Sequence, residues 1–236
     1  MKEMTENRQH STWRYRSPVH GIFRSAAYLL LLKPSIWSVL SVKVHGRRNL
    51  RQLKSGKSYI VIANHASHFD APLVLGALPQ RLSRRIATAA AADNFFRQWH
   101  KQLPTRLFFN TFPVDRQRGR GDEKYKGLAS ELLNRGVPLL IFPEGTRSRS
   151  GLIDEFKIGS AKLACQFQIP VVPIALIGTF DAWPAQEKIW KSGRLPVDVV
   201  FGEPLVPEKS ETPEEFNRRL RDTIIELYDK TEKRGK

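Results

Sequence analysis

Short apolar runs, each closed by polar, turn-prone residues, punctuate this chain of 236 residues. Tyr59-Ile60-Val61-Ile62-Ala63 and Pro138-Leu139-Leu140-Ile141 show no alternation of apolar and polar positions. Runs of that length and uniformity read as strands covered on both faces, as in a parallel sheet. Strands are expected at about 41–45, 58–63, 85–91, 108–114, 138–142, 171–177 and 196–201, and helices at about 70–78, 94–102, 123–135, 157–168 and 213–231. Strand and helix alternate, which predicts an α/β fold: a mainly parallel mixed sheet flanked by helices. The last helix has an orderly start, with Thr212 as cap, Pro213 at the first position and Glu215 three residues after the cap. Phe216, Leu220, Ile224 and Leu227 then mark one face, so this helix packs on the body.

Two stretches raise the question of a membrane. Leu163 to Phe180 is uncharged, but Gln166, Gln168, Pro170 and Pro173 make it a helix end followed by a buried strand. Nearer the start, the charge-free stretches Ser25 to Leu32 and Pro34 to Val42 are each shorter than the roughly 20 residues a span requires. Pro34 also interrupts a helix there. Residues 18–40 therefore read as an amphipathic helical hairpin lying in the interface. Tyr28 and Trp37 would sit at headgroup level, and Leu29, Leu32, Ile36, Trp37 and Leu40 would enter lipid. A hairpin that merely caps the core is the competing reading. Residues 1–17 are polar and lack the apolar centre of a signal peptide, so a mobile tail is expected there.

Charge sharpens this picture. The net charge is +16; residues 1–60 hold 12 Lys/Arg against 2 acids, and residues 61–136 hold 12 against 6. From 137 onward the signs balance, 15 against 15. Such a basic chain suits nucleic acid or anionic lipid. No nucleic-acid-binding motif accompanies the charge, and the basic residues flank apolar segments, which favours a lipid surface. The single cysteine, Cys165, excludes a disulfide scaffold and fits a reducing compartment.

The candidate chemistry lies in two loops, each directly after one of the first-named apolar runs. Asn64-His65-Ala66-Ser67-His68-Phe69-Asp70 offers a base and a carboxylate. On one regular helix, five positions rotate by about 500°, so His65 and Asp70 would diverge. They meet if His65 stays in the loop while Asp70 lies in the first turn of the next helix, where Asp70-Ala71-Pro72 suits a helix start. The carboxylate would then fix the imidazole tautomer and leave the other nitrogen free as a base. No Gly-x-Ser-x-Gly elbow is present, so the base is expected to activate a substrate hydroxyl. His65, His68 and Asp70 also suit a metal, but no further His or Cys cluster completes a ligand set; His68 reads instead as structural or site-lining. The second loop, Phe142-Pro143-Glu144-Gly145-Thr146-Arg147-Ser148, offers a carboxylate and a planar guanidinium suited to phosphate. Alone, it would pass for a surface turn closed by an ion pair.

Together the loops resemble the glycerolipid acyltransferase family typified by 1-acylglycerol-3-phosphate acyltransferases. The first family motif, Asn-His-x-Ser-x-x-Asp in many members, appears at Asn64 to Asp70, and the third is unchanged at 142–148. Phe112-Pro113-Val114-Asp115-Arg116 is similar to the second motif, loosened by Pro113, and Val171-Val172-Pro173-Ile174 matches the fourth. The resemblance covers roughly residues 40 to 205, and makes residues 41–236 an acyltransferase domain.

That resemblance implies a one-step O-acyl transfer without cofactor or metal, from acyl-CoA or acyl-carrier protein to 1-acylglycerol 3-phosphate, giving phosphatidic acid. It makes His65 and Asp70 catalytic and assigns Arg116, Glu144, Gly145, Thr146 and Arg147 to substrate binding. Glu144 would repel phosphate, so its expected work is to hold Arg147 or a backbone donor, or to bond a glycerol hydroxyl. The implied setting is peripheral, at the cytoplasmic face of a membrane. Glycerol 3-phosphate, another lysophospholipid or an acylated amino-acid lipid are alternative acceptors. A basic binding module without catalysis is the alternative of another class.

Overall fold

The apolar runs become neighbouring strands of one sheet. A computed structural model describes residues 12–91, 108–114 and 127–235. Among them, β1 (Leu40–His45), β2 (Ile60–Ala63), β3 (Ala87–Ala91), β4 (Thr111–Val114), β5 (Leu139–Ile141), β6 (Val171–Ile177) and β7 (Leu195–Phe201) lie in the spatial order β1-β7-β6-β2-β5-β3-β4. All pairings are parallel except β6 with β7. β2 sits at the centre, with Ile62 level with Ile141 of β5 and Pro173 of β6. Its side chains alternate between two buried clusters: Val61 and Ala63 on one face, Ile60 and Ile62 on the other. Both faces are covered, which is why the run carries no polar position. Pro113 is accommodated because β4 is an edge strand and needs fewer ladder bonds.

The helices divide between the faces. Helices α1 (Pro18–Ala27), α2 (Lys33–Val39), α3 (Asp70–Ala77) and α4 (Gln80–Ser83) precede β3 in the chain. Tyr28, Ile36, Leu73, Val74 and Leu82 from this group join the cluster of Val61. Helices α5 (Leu128–Asn134), α6 (Gly159–Phe167) and α8 (Pro213–Gly235) supply Leu132, Ala161 and Phe216 to the cluster of Ile60; α7 is the short Thr179–Ala182. At the start of α8 the expected capping box is in place: the Thr212 N–H donates to Glu215 Oε2 at 2.8 Å, and the Glu215 N–H to Thr212 Oγ1 at 3.2 Å. The helix expected at 94–102 and the first residues of the one expected at 123–135 lie outside the described residues.

Two expectations about the N-terminal region are corrected. Residues 18–39 do not fold back as a hairpin: α1 runs through a π-helical turn, Tyr28–Leu32, directly into α2. The Lys33 N–H bonds to the Tyr28 carbonyl, and this wider turn lets the helix continue past Pro34. Nor is the whole of 1–17 a loose tail. Tyr15 is buried, and its hydroxyl donates to the Thr111 carbonyl of β4 at 3.1 Å.

The outward face of the rod also differs from the expected one. Tyr28, Ile36 and Leu40 are buried, and Leu32 and Trp37 pack against the same core. Gly76 of α3 explains this, because a Cβ there would lie 2.6 Å from the Tyr28 hydroxyl and 2.8 Å from the Trp37 ring. Each fully buried side chain of this kind contributes about 1.5–3 kcal/mol to the fold and is not available to lipid. The exposed apolar residues are instead Trp13, Val19, Ile22, Phe23, Leu30 and Leu31, with Leu29 partly so. Among the described residues, no helix is long and apolar enough to cross a membrane.

Candidate active site

The C-terminal ends of the central parallel strands carry both candidate loops, where open α/β sheets place ligands. His65 follows β2, and Asp70 is the first residue of α3. Asp70 is fully buried, and its Oδ2 accepts three hydrogen bonds of 2.7 Å, from His65 Nδ1 and from the Ala66 and Ser67 N–H groups. A carboxylate only accepts, so Nδ1 carries the proton and Nε2 is left with its lone pair. Nε2 has no hydrogen-bond partner among the described residues. Phe142 stacks on the imidazole, ring centroids 4.1 Å apart, fixing its plane.

The third-motif loop is bolted to the first. The His65 N–H donates to Glu144 Oε1 at 2.7 Å, and the Ser148 N–H donates to the His65 carbonyl at 2.7 Å. Glu144 also accepts from the Asp154 N–H, so of its expected duties it performs that of holding backbone donors. Burial pushes its carboxyl up to about 7, against the opposing pull of those two N–H groups. Gly145 adopts φ +77°, and a Cβ there would meet Lys157 Nζ at 2.7 Å. Glycine adopts that backbone without strain, and a side chain there would also displace the end of Lys157. The Arg147 guanidinium lies against the His68 ring, with Nη1 2.9 Å from Nε2. Burial first, then that cation, hold the His68 pKa below the ordinary imidazole value, leaving a neutral ring that can accept. His68 is thus a site-lining residue that positions Arg147.

The strand that carries the fourth motif, β6, contributes through its backbone. Asn64 is buried, and its side chain bonds both the N–H and the carbonyl of Leu176 on β6, at 2.8 and 3.0 Å. Ser67 is tied to the loop after α7: its hydroxyl donates to the Trp183 carbonyl at 2.7 Å.

Two cavities open on His65 from opposite faces of the sheet. The first, about 660 Å³, lies on the α3 face and is lined by Arg147, Arg149, Thr146, His68, Thr88 and Thr111. The second, about 250 Å³, lies between the sheet and α5–α6, with Ala129, Phe112, Val114, Ile141 and Leu163 as apolar walls and His65, Gly145 and Lys157 also lining it. The structure therefore brings His65, Asp70, Glu144, Gly145, Thr146 and Arg147 together, while Arg116 lies outside the described residues. Lys157, Thr88 and Thr111 escaped sequence reasoning. Lys157 stands ten residues past Arg147, and the two threonines are ordinary strand residues until Thr88 is seen level with Thr111 across β3 and β4. Among the described residues, no three His, Cys, Asp or Glu side chains gather as a metal site.

Known proteins resemble this chain in sequence and in fold. The chain is 29% identical over 208 residues to human 1-acyl-sn-glycerol-3-phosphate acyltransferase alpha, covering 85% of this chain and 68% of that protein. A coconut (Cocos nucifera) 1-acyl-sn-glycerol-3-phosphate acyltransferase is 34% identical over 125 residues, 52% of this chain and 39% of that one. The crystal structure of the Thermotoga maritima 1-acyl-sn-glycerophosphate acyltransferase PlsC superposes with a TM-score of 0.64 at 26% identity, covering 87% of this chain and 75% of its own. A family model described as acyltransferase matches residues 41–177, which span all four motifs and both loops around His65; the chain belongs to that acyltransferase family.

Proposed function

We propose that this acyltransferase moves a fatty acyl group from acyl-CoA or acyl-carrier protein to the free hydroxyl of 1-acylglycerol 3-phosphate at the cytoplasmic surface of a membrane. The observation that carries this reading is the His65–Asp70 pair standing where a basic cavity and an apolar cavity meet. His65 Nε2 takes the proton of the acceptor hydroxyl as its oxygen attacks the thioester carbonyl. The tetrahedral intermediate collapses with loss of the thiolate, and the imidazolium returns the proton to that sulfur. Asp70 stabilises the imidazolium between these steps.

The two substrates approach from different sides. Arg147 and Arg149 offer their guanidinium groups to the acceptor phosphate in the cavity on the α3 face. The apolar cavity on the α5–α6 face takes the acyl chain of the donor. The acceptor cavity shares its face with the N-terminal helical rod, whose Phe23 and Leu30 are 70% and 75% exposed. With the positive charge concentrated in the first 136 residues, that face suits an anionic bilayer. The test is turnover on a panel of lyso-acceptors with each donor. Preference for 1-acylglycerol 3-phosphate over glycerol 3-phosphate and over zwitterionic lysophospholipids is expected. Equal use of acceptors without a phosphate monoester would overturn the assignment.

A further inference from the structure

The loop between α7 and β7, residues 183–194, has no part in the four motifs, yet it is fastened to two pieces of the site and to the N-terminal rod. Pro184 bridges Ser67 of the first motif, and the His68 N–H donates to the Trp183 carbonyl at 3.4 Å. Gln186 Nε2 donates to the Arg149 carbonyl at 3.1 Å, next to the third motif. Arg194 reaches the Trp37 carbonyl of α2 at 3.3 Å. Within the loop, Trp183 sits 4.6 Å from the His68 ring and 5.5 Å from Trp190, which also faces Phe69.

The outer part of this loop is built unlike an ordinary connection. Ile189 and Trp190 are 73% and 45% exposed at its tip, although both are large and apolar. Lys188, Lys191 and Arg194 surround them, also exposed, with Glu187 as the one acid between 183 and 194. An aliphatic and an indole ring ringed by cations is the composition that seats a segment at the headgroup level of an anionic bilayer. The alternative of a protein partner would leave three lysine and arginine heads to be matched one by one. Lipid phosphates match them without a fixed register.

We infer that residues 188–194 form a second lipid-contacting element, with Ile189 and Trp190 entering the interface while Lys188, Lys191 and Arg194 meet lipid phosphates. This inference rests on the membrane reading proposed above. It adds what the N-terminal rod alone does not supply, a bilayer contact at the mouth of the acceptor cavity, because Ala185 and Gln186 of the same loop line that cavity beside Arg147. A lysophospholipid headgroup held by the loop would then stand next to the guanidinium that receives its phosphate.

The test uses the full chain in a Cys165→Ala background, with an environment-sensitive nitrobenzoxadiazole label on Ile189→Cys, on Leu30→Cys in the rod, or on Lys209→Cys, an exposed residue in the segment leading to α8. On adding phosphatidylcholine vesicles that contain phosphatidylglycerol, the labels at 189 and 30 brighten and shift to the blue, and the label at 209 does not. A shift at 30 without one at 189 overturns this inference and leaves the membrane reading standing. No shift at either overturns both. Independently, Lys188→Glu combined with Lys191→Glu should weaken binding to the same vesicles at least about tenfold, since each basic residue near the surface contributes a severalfold factor. Unchanged vesicle affinity in that variant, with its melting temperature retained, also counts against the loop.

Discussion

Replacing Asp70 by Asn separates the charge of the proposed catalytic pair from its geometry. In the wild type, Oδ2 accepts from His65 Nδ1 and from two backbone N–H groups, each at 2.7 Å, while Oδ1 has no hydrogen-bond partner among the described residues. The amide introduced by Asp70→Asn has one favourable orientation. Its oxygen takes the Oδ2 place and keeps all three donors, because the flipped amide would set its NH₂ against two backbone N–H groups. The imidazole therefore keeps its Nδ1–H tautomer and its aim, and what disappears is the negative charge facing the imidazolium. Two unit charges about 4 Å apart attract by about 4 kcal/mol at an effective dielectric of 20, an upper bound for the loss. The difference between a charged and a neutral acceptor, about 1 kcal/mol, is the lower bound. Turnover should fall between roughly 5-fold and 10³-fold. The amide NH₂, buried in the place of Oδ1 without an acceptor, costs about 1–3 kcal/mol and lowers the melting temperature by a few to about ten degrees. Asp70→Ala should be worse on both counts, since it strips the acceptor from two backbone N–H groups as well as from His65. The assay is thiol release from acyl-CoA at saturating acceptor, beside a thermal melt of each variant. Turnover of Asp70→Asn within twofold of wild type, in a folded protein, would refute the role given to the carboxylate.

Other consequences are more compact. Arg147→Ala should raise the acceptor KM by about one to two decades, the loss of a charge-assisted hydrogen bond worth roughly 1.5–3 kcal/mol, and leave the donor KM unchanged; a change in the donor alone would place the loop wrongly. Glu144 binds its proton more tightly folded, at about 7, than at its ordinary 4.5. The fold therefore loses stability from this group as pH rises from 4.5 through 7, and Glu144→Gln should abolish that part of the slope in melts taken across this window. Phe23→Asp with Leu30→Asp should release the protein from anionic vesicles with its melting temperature kept, read by sedimentation and a thermal melt. Leu32→Glu with Trp37→Glu should instead lower the melting temperature sharply, because both side chains pack on the core.

Much of the scaffold was legible because it rests on local signals. All seven strands lie where the apolar runs or alternations place them, within a few residues at their ends, and Asp70 opens its helix as Asp70-Ala71-Pro72 suggests. Parallel strands covered on both faces leave an unmistakable mark in sequence. The N-terminal rod departs from its sequence signals for a physical reason. Pro34 signals a break, but a π turn ahead of it satisfies the helix, and no sequence rule anticipates which way Trp37 faces until Gly76 opens a slot for it. Contacts between distant segments were also hidden. Nothing in Trp183-Pro184 announces a bridge to Ser67, since that pairing spans 117 residues and rests on backbone groups.

The position of His65 explains why β3 is so poor in side chains. A base proposed to serve two substrates needs open space on both sides of the sheet, and parallel strands normally close both faces with Val, Ile and Leu. Here β3 reads Ala87-Thr88-Ala89-Ala90-Ala91, two strands away from β2. Alternation turns Ala89 toward the α5–α6 face and Thr88 and Ala90 toward the α3 face, so one short strand leaves room for a cavity on each. Both cavities reach the same imidazole because the first-motif loop stands above the strand ends, belonging to neither face. The small residues cost apolar burial in the sheet, about 0.8 kcal/mol for each methylene forgone. That loss is tolerable because the opposite edge is closed by the longer β6, β7 and β1 and by α8. The division of the sheet into a densely packed half and a hollow half is thus what lets a single His–Asp pair open on a polar cavity and an apolar cavity at once.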